Sequence, residues 1–122
     1  MKIDRLRLGS SLPLRGMYRL GSLEPASIAP LLGARDLVRI ELLDARDKLE
    51  IIQRVKSQLP LPDYCGENWD ALEECLYEVG GEKVFVYTGL ETAREITVFD
   101  YRVFLEIIFR TLAVNNLVLI GD

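Results

Sequence analysis

The chain contains no histidine. That removes Ser-His-Asp and Cys-His nucleophilic machinery, His-ligated metal sites and the commonest general acid–base residue. Cysteine is scarce as well: Cys65 and Cys75 are the only two, ten positions apart. This spacing is neither a CxxC motif nor the dense framework of a small secreted domain, so the pair reads as reduced thiols of a cytoplasmic protein. Long apolar runs are missing. Met1–Leu14 is broken by Lys2, Asp4, Arg5, Arg7 and Pro13, so no secretory leader and no membrane span is expected. Nor is there a basic surplus. Lys and Arg number 15 against 19 Asp and Glu, a formal net charge of -4, which argues against binding a nucleic-acid backbone.

What is present suits a small folded protein. The 122 residues are 49% hydrophobic and 28% charged, enough to bury one core in one domain. The charge is unevenly placed. Residues 1–62 carry eleven basic and seven acidic side chains, and residues 83–122 carry four and five. Between them, residues 63–82 carry no basic side chain and seven acids: Asp63, Glu67, Asp70, Glu73, Glu74, Glu78 and Glu82. Single-sign blocks are often disordered, but Tyr64, Trp69, Leu72, Leu76, Tyr77 and Val79 are threaded through this one.

Local patterns predict an alternating α/β order. Arg15–Leu20 reads as a strand between Gly16 and Gly21. Glu24–Leu32 reads as a short helix, with Ser22 as N-cap, Pro25 in the first turn and Gly33 as the stop; Pro30 argues against a long regular helix there. Leu37–Leu43 alternates, with Val38, Ile40 and Leu42 on one face. Asp47 and Glu50 resemble a capping box for a helix reaching about Gln58, with Leu49, Ile52, Val55 and Leu59 on its apolar side. Pro60 and Pro62 end it. Asn68 caps a second helix to about Val79, stopped by Gly80-Gly81. Lys83–Thr88 is a strand, Asp100–Val114 a third helix with Phe104, Ile107, Ile108 and Leu112 as its stripe, and Leu117–Ile120 a last strand. Strands separated by helices imply a parallel sheet with helices packed on it.

The second helix is the unusual one. On a helical wheel Leu72, Cys75, Leu76 and Val79 form the buried stripe, and Asp70, Glu73, Glu74 and Tyr77 gather on the opposite side within about 100°. Asp70/Glu74 and Glu74/Glu78 are like-charge i,i+4 pairs, and acids this far along a helix oppose its dipole. No Lys or Arg on the helix relieves them. Local rules broken together in one place suggest a functional surface, and a solvated acidic face kept for solubility is the equal alternative on this argument alone.

The run Leu61-Pro62-Asp63-Tyr64-Cys65-Gly66-Glu67-Asn68-Trp69-Asp70-Ala71-Leu72-Glu73-Glu74-Cys75-Leu76 resembles the signature of the barstar family of ribonuclease inhibitors. The family's pattern is roughly Pro-acid-aromatic-aromatic-Gly-x-Asn-x-Asp-Ala-Leu-x-Asp-Cys-Leu. The order of elements from Leu37 onward is similar too. The resemblance implies a barstar-like α/β fold: a small parallel sheet of three core strands plus an extra N-terminal strand, packed with helices. Residues 37–122 would be the core, and residues 1–36 an extension holding a strand and a short helix, within a single domain 1–122. It also implies a mechanism in which the loop and second helix enter the cationic cleft of a basic ribonuclease or nuclease toxin, one to one, with carboxylates in place of substrate phosphate. By position, Tyr64, Asn68, Trp69, Asp70, Glu73, Glu74 and Tyr77 fall on the family's contact surface. Glu74 replaces the central Asp, Glu73 replaces an aromatic, and Cys65 stands where a second aromatic often sits. For the acid the family supplies after its middle strand, Glu91 and Glu95 are the candidates.

The residues also leave room for a non-inhibitory interaction module that binds another basic partner through the same face. An enzyme is disfavoured, because carboxylate catalysis needs acids converging across a pocket. No catalytic residue, metal or cofactor is expected; Asp63–Asp70 lacks the oxygen spacing of a calcium loop. Trp69 reads equally as a core lid or an interface anchor, and Tyr64 as a contact residue on an exposed loop. Cys75 belongs to the core. Cys65 is open to exposure, with no basic neighbour in sequence to activate it.

Overall fold

A computed structural model of the chain describes residues 3–7, 12–21, 23–62, 64–79, 83–90, 97–111 and 116–121. Five strands form one sheet in the order β1-β2-β5-β4-β3. They are β1 (Asp4–Arg5), β2 (Gly16–Arg19), β3 (Asp36–Glu41), β4 (Lys83–Thr88) and β5 (Leu117–Ile120). Every pairing is parallel. A 3₁₀ helix (Pro25–Leu31) precedes β3, and three α-helices follow: α1 (Lys48–Gln58), α2 (Trp69–Leu76) and α3 (Val98–Thr111). This is the expected α/β architecture with one strand more, since the two-residue β1 carries too little pattern to be read from sequence.

A parallel sheet needs cover on both faces, and alternate residues of the strands supply two cores. Ile40, Phe85, Tyr87, Val118 and Ile120 pack with the apolar sides of α1, α2 and α3. Val84, Val86, Leu117 and Leu119 point the other way, onto Leu6, Leu12, Leu20 and Ile28. The extension is therefore structural in two senses. Its strand β2 pairs with β5 and widens the sheet, and its 3₁₀ segment closes the second face. Asn116 helps hold the strand starts together: its carbonyl accepts from the Gly16 N–H (3.2 Å) and its side-chain oxygen from the Lys83 N–H (3.2 Å).

Local expectations were met unevenly. Pro25 opens the first helix and Pro30 lies inside it, which suits 3₁₀ geometry better than a regular α-helix. Glu24 sits at its N-cap position without a side-chain bond, and Ser22 lies outside the described residues. At α1, Asp47 caps the helix by accepting from the Glu50 N–H at 3.0 Å. The Glu50 carboxylate turns instead to the Arg46 backbone N–H (3.3 Å) and to the Arg54 guanidinium (2.8 Å). Leu49 is 45% exposed, while Ile51 is fully buried beside Ile52 and Val55. The buried arc centres on Val55, about 120° from Leu49. Helix α3 begins at Val98, before Asp100, because the Thr97 hydroxyl accepts from the Asp100 N–H (3.0 Å). Gly80, Gly81, Leu112 and Asn115 lie outside the described residues.

Because Ile28 is fully buried between the 3₁₀ segment and the sheet, Ile28→Ala should destabilise the protein by about 2–5 kcal/mol. Urea unfolding measures this; a loss well under 1 kcal/mol would mean that the extension is not part of the cooperative core.

Candidate partner-binding site

Helix α2 starts where its sequence predicts. The Asn68 side chain accepts from the Ala71 N–H at 2.8 Å, satisfying one of the donors left open at a helix start. The regular helix ends at Leu76, and the chain leaves through turn bonds from the Glu78 N–H to the Cys75 carbonyl and from the Val79 N–H to the Leu76 carbonyl. Leu72, Cys75, Leu76 and Val79 are all buried, so the predicted stripe holds even where the helix has stopped.

Trp69 fixes the orientation of α2. Its ring stacks on Phe104 of α3 (centroids 5.7 Å apart, planes 26°), and Phe104 meets Tyr87 of β4 edge-on at 5.8 Å. The indole N–H donates to Asp100 at 2.9 Å. Trp69 is half-buried, and its role in the free protein is that of a lid, its uncovered edge bordering the acidic face. Tyr87 at the bottom of this ladder is fully buried, its hydroxyl has no hydrogen-bond partner among the described residues, and burial holds the phenol far above its usual pKa.

The loop before α2 is tied from behind. Lys56 of α1 donates to the Cys65 carbonyl at 2.6 Å and lies 3.8 Å from the Glu67 carboxylate. Cys65, open to exposure on its sequence, is 3% exposed; its sulfur sits 3.6 Å from the Ala71 carbonyl, under α2. The same packing turns Tyr64 outward, 79% exposed. The Glu78 carboxylate beside it is the main cause of its raised phenol pKa, so the loop and the end of α2 form one surface.

Across that surface Asn68, Asp70, Glu74, Tyr77 and Glu78 are exposed. Glu73 is only half exposed and forms an ion pair with Arg110 of α3, which raises the Arg110 pKa. Cations from other elements reach Glu73 (Arg110) and Glu67 (Lys56), while the predicted like-charge pairs Asp70/Glu74 and Glu74/Glu78 stay uncompensated among the described residues. Asp70 and Glu74 have no cationic partner among the described residues. Glu91 and Glu95, the candidates for a further acid, lie outside the described residues, as does Asp63. Sequence reading missed Lys56, Arg110 and Asp100. Arg110 is 37 positions from Glu73, and no local pattern joins them.

The α/β scaffold thus presents, on one exposed helix face held from behind by Trp69 and Lys56, carboxylates that have no cationic partner among the described residues. Among the described residues no group of three or more His, Cys, Asp or Glu is placed to hold a metal, and no helix is long and apolar enough to cross a membrane. The family model described as Barstar (barnase inhibitor) matches residues 35–113, and the chain belongs to that family. Comparison with curated protein sequences finds no match.

Burial raises the Cys75 thiol to about 11, and the neighbouring Cys65 thiol adds to the shift. Folding favours the neutral thiol, so this contribution to stability is full below pH 9 and is lost as pH rises toward 11. At pH 8 a thiol-reactive disulfide reagent should label neither cysteine in the native protein and both in denaturant. Rapid native labelling would contradict the burial of the loop under α2.

Proposed function

We propose that this protein is a ribonuclease inhibitor, or immunity protein, whose loop and α2 plug the cationic active-site cleft of a basic ribonuclease one to one. The observation that carries the reading is the pair Asp70 and Glu74. They stand one turn apart, about 6 Å along the helix axis, exposed and without a cationic partner among the described residues. A cleft that holds a phosphodiester presents Arg and Lys, and such cations clamp carboxylates through short charge-assisted bonds. Tyr64, Asn68 and Tyr77 border the pair, Trp69 sets its orientation, and Glu73 arrives already paired to Arg110. The family's inhibitory activity supports the same reading. On it, the protein needs no proton transfer of its own, and the full chain acts as one cytoplasmic domain in which residues 1–36 complete the scaffold.

The pre-set helix face keeps the ordering entropy of docking low. The extra methylene of Glu74, compared with the family's Asp, lets the carboxylate reach further at the expense of one more rotatable bond.

The test is binding to a ribonuclease or ribonuclease-toxin domain from the same source, read by calorimetry and by loss of RNA cleavage. Glu74→Ala should weaken binding by about 1.5–3 kcal/mol, the range for a hydrogen bond to a charged group. The association rate should fall as salt is added, because steering between opposite charges is screened. A salt-independent rate, or RNA cleavage that continues in the saturated complex, would sink the plugging mechanism. Binding of a basic protein without nuclease activity through Glu74 would favour the interaction-module reading.

A further inference from the structure

The outer face of α3 carries a second surface that the proposed docking does not use. Val98 and Phe99 are 77% and 73% exposed, and Phe109, near the other end of the helix, is 49% exposed. Between them lie Arg102, Val103 and Glu106; with Val98 and Phe99 these line a groove of about 360 Å³. On the wheel Phe99, Arg102, Val103, Glu106 and Phe109 fall within about 120°, opposite the stripe of Phe104, Ile107, Ile108 and Thr111 that faces the core. Large exposed aromatics grouped on one helix face mark an interaction surface. Arg102 has no ion-pair partner among the described residues, and Glu106 has only its own-helix neighbour Arg110, at 3.9 Å.

The order of these residues identifies the occupant. About a two-fold axis at the level of residue 104, an antiparallel copy of the same helix sets Arg102 against Glu106, Glu106 against Arg102, Phe99 against Phe109 and Phe109 against Phe99. Charge thus meets opposite charge and aromatic meets aromatic in both directions. A two-fold interface must be self-complementary in this way, whereas a parallel pairing would set like charges together. We propose that the outer face of α3 pairs with the α3 of a second copy of this chain, each Phe109 seating at the other's groove with two Arg102–Glu106 ion pairs beside it. One helix face is smaller than a standard stable interface, so the dimer is weak and forms at high protein concentration.

Charge reversal on the folded full chain tests this, read by sedimentation equilibrium from micromolar to millimolar protein at low salt. The wild type should shift from monomer toward dimer mass across that range. Arg102→Glu alone sets Glu against Glu and should stay monomeric, and Glu106→Arg alone sets Arg against Arg and should do the same. An equimolar mixture of the two variants restores both opposite-charge contacts and should dimerise. Both positions are on the outer face, so unchanged circular dichroism melts confirm that the variants fold. A wild type that stays monomeric throughout, an Arg102→Glu variant that associates as the wild type does, or a mixture that remains monomeric would each overturn the proposal.

Discussion

The orientation of α2 depends on one contact, the stack of Trp69 on Phe104. It joins the first turn of α2 to the middle of α3, and through Tyr87 it reaches the central strand β4. The hydrogen bond from the indole to Asp100 closes the remaining freedom of the ring. A helix of eight residues is too short to be stable alone. Its acidic face has a defined direction because the opposite face is held by this ladder and by Leu72, Cys75 and Leu76 in the core.

Electrostatics then sorts the carboxylates. Glu67 and Glu73 are each matched by a cation from another helix, Lys56 and Arg110. Asp70 and Glu74 are left without one among the described residues. The pairing of Glu73 lowers the repulsion within α2, and Asp70, Glu74 and Glu78 remain as the exposed acids of this surface without a cation among the described residues. It also changes the surface where the family carries an aromatic: Glu73 adds less net charge than its sequence position suggests, since Arg110 accompanies it.

The N-terminal extension and α3 widen what the scaffold can do. Closing the second face of the sheet with Leu6, Leu12, Leu20 and Ile28 removes an apolar surface that would otherwise be open to solvent. The outer face of α3 keeps its aromatics exposed. Arg110 lies at the junction of the two surfaces, paired to Glu73 on α2 and close to Glu106 on its own helix.

Much of this was legible in the sequence because its signals are local. The Asn68 cap, the Leu72/Cys75/Leu76/Val79 stripe, the Lys83–Thr88 strand and the absence of basic residues from 63–82 follow from backbone periodicity, capping and composition. The signature run carried the family. Other features were invisible because they depend on residues far apart in the chain. The sequence left Trp69 open between lid and anchor; Phe104 and Asp100, more than thirty positions away, made it a lid. Cys65 gave no sign of burial until α2 folded over it. Leu49, read as part of the apolar side of α1, is 45% exposed, because the helix buries the arc of Ile51, Ile52 and Val55 instead. The sequence by itself determined that an acidic helix face would exist, since side-chain direction follows from helical pitch. Only the tertiary structure decided which of those acids stay unpaired, because ion pairing is set by distance in space, and Arg110 and Lys56 come near only when the helices pack.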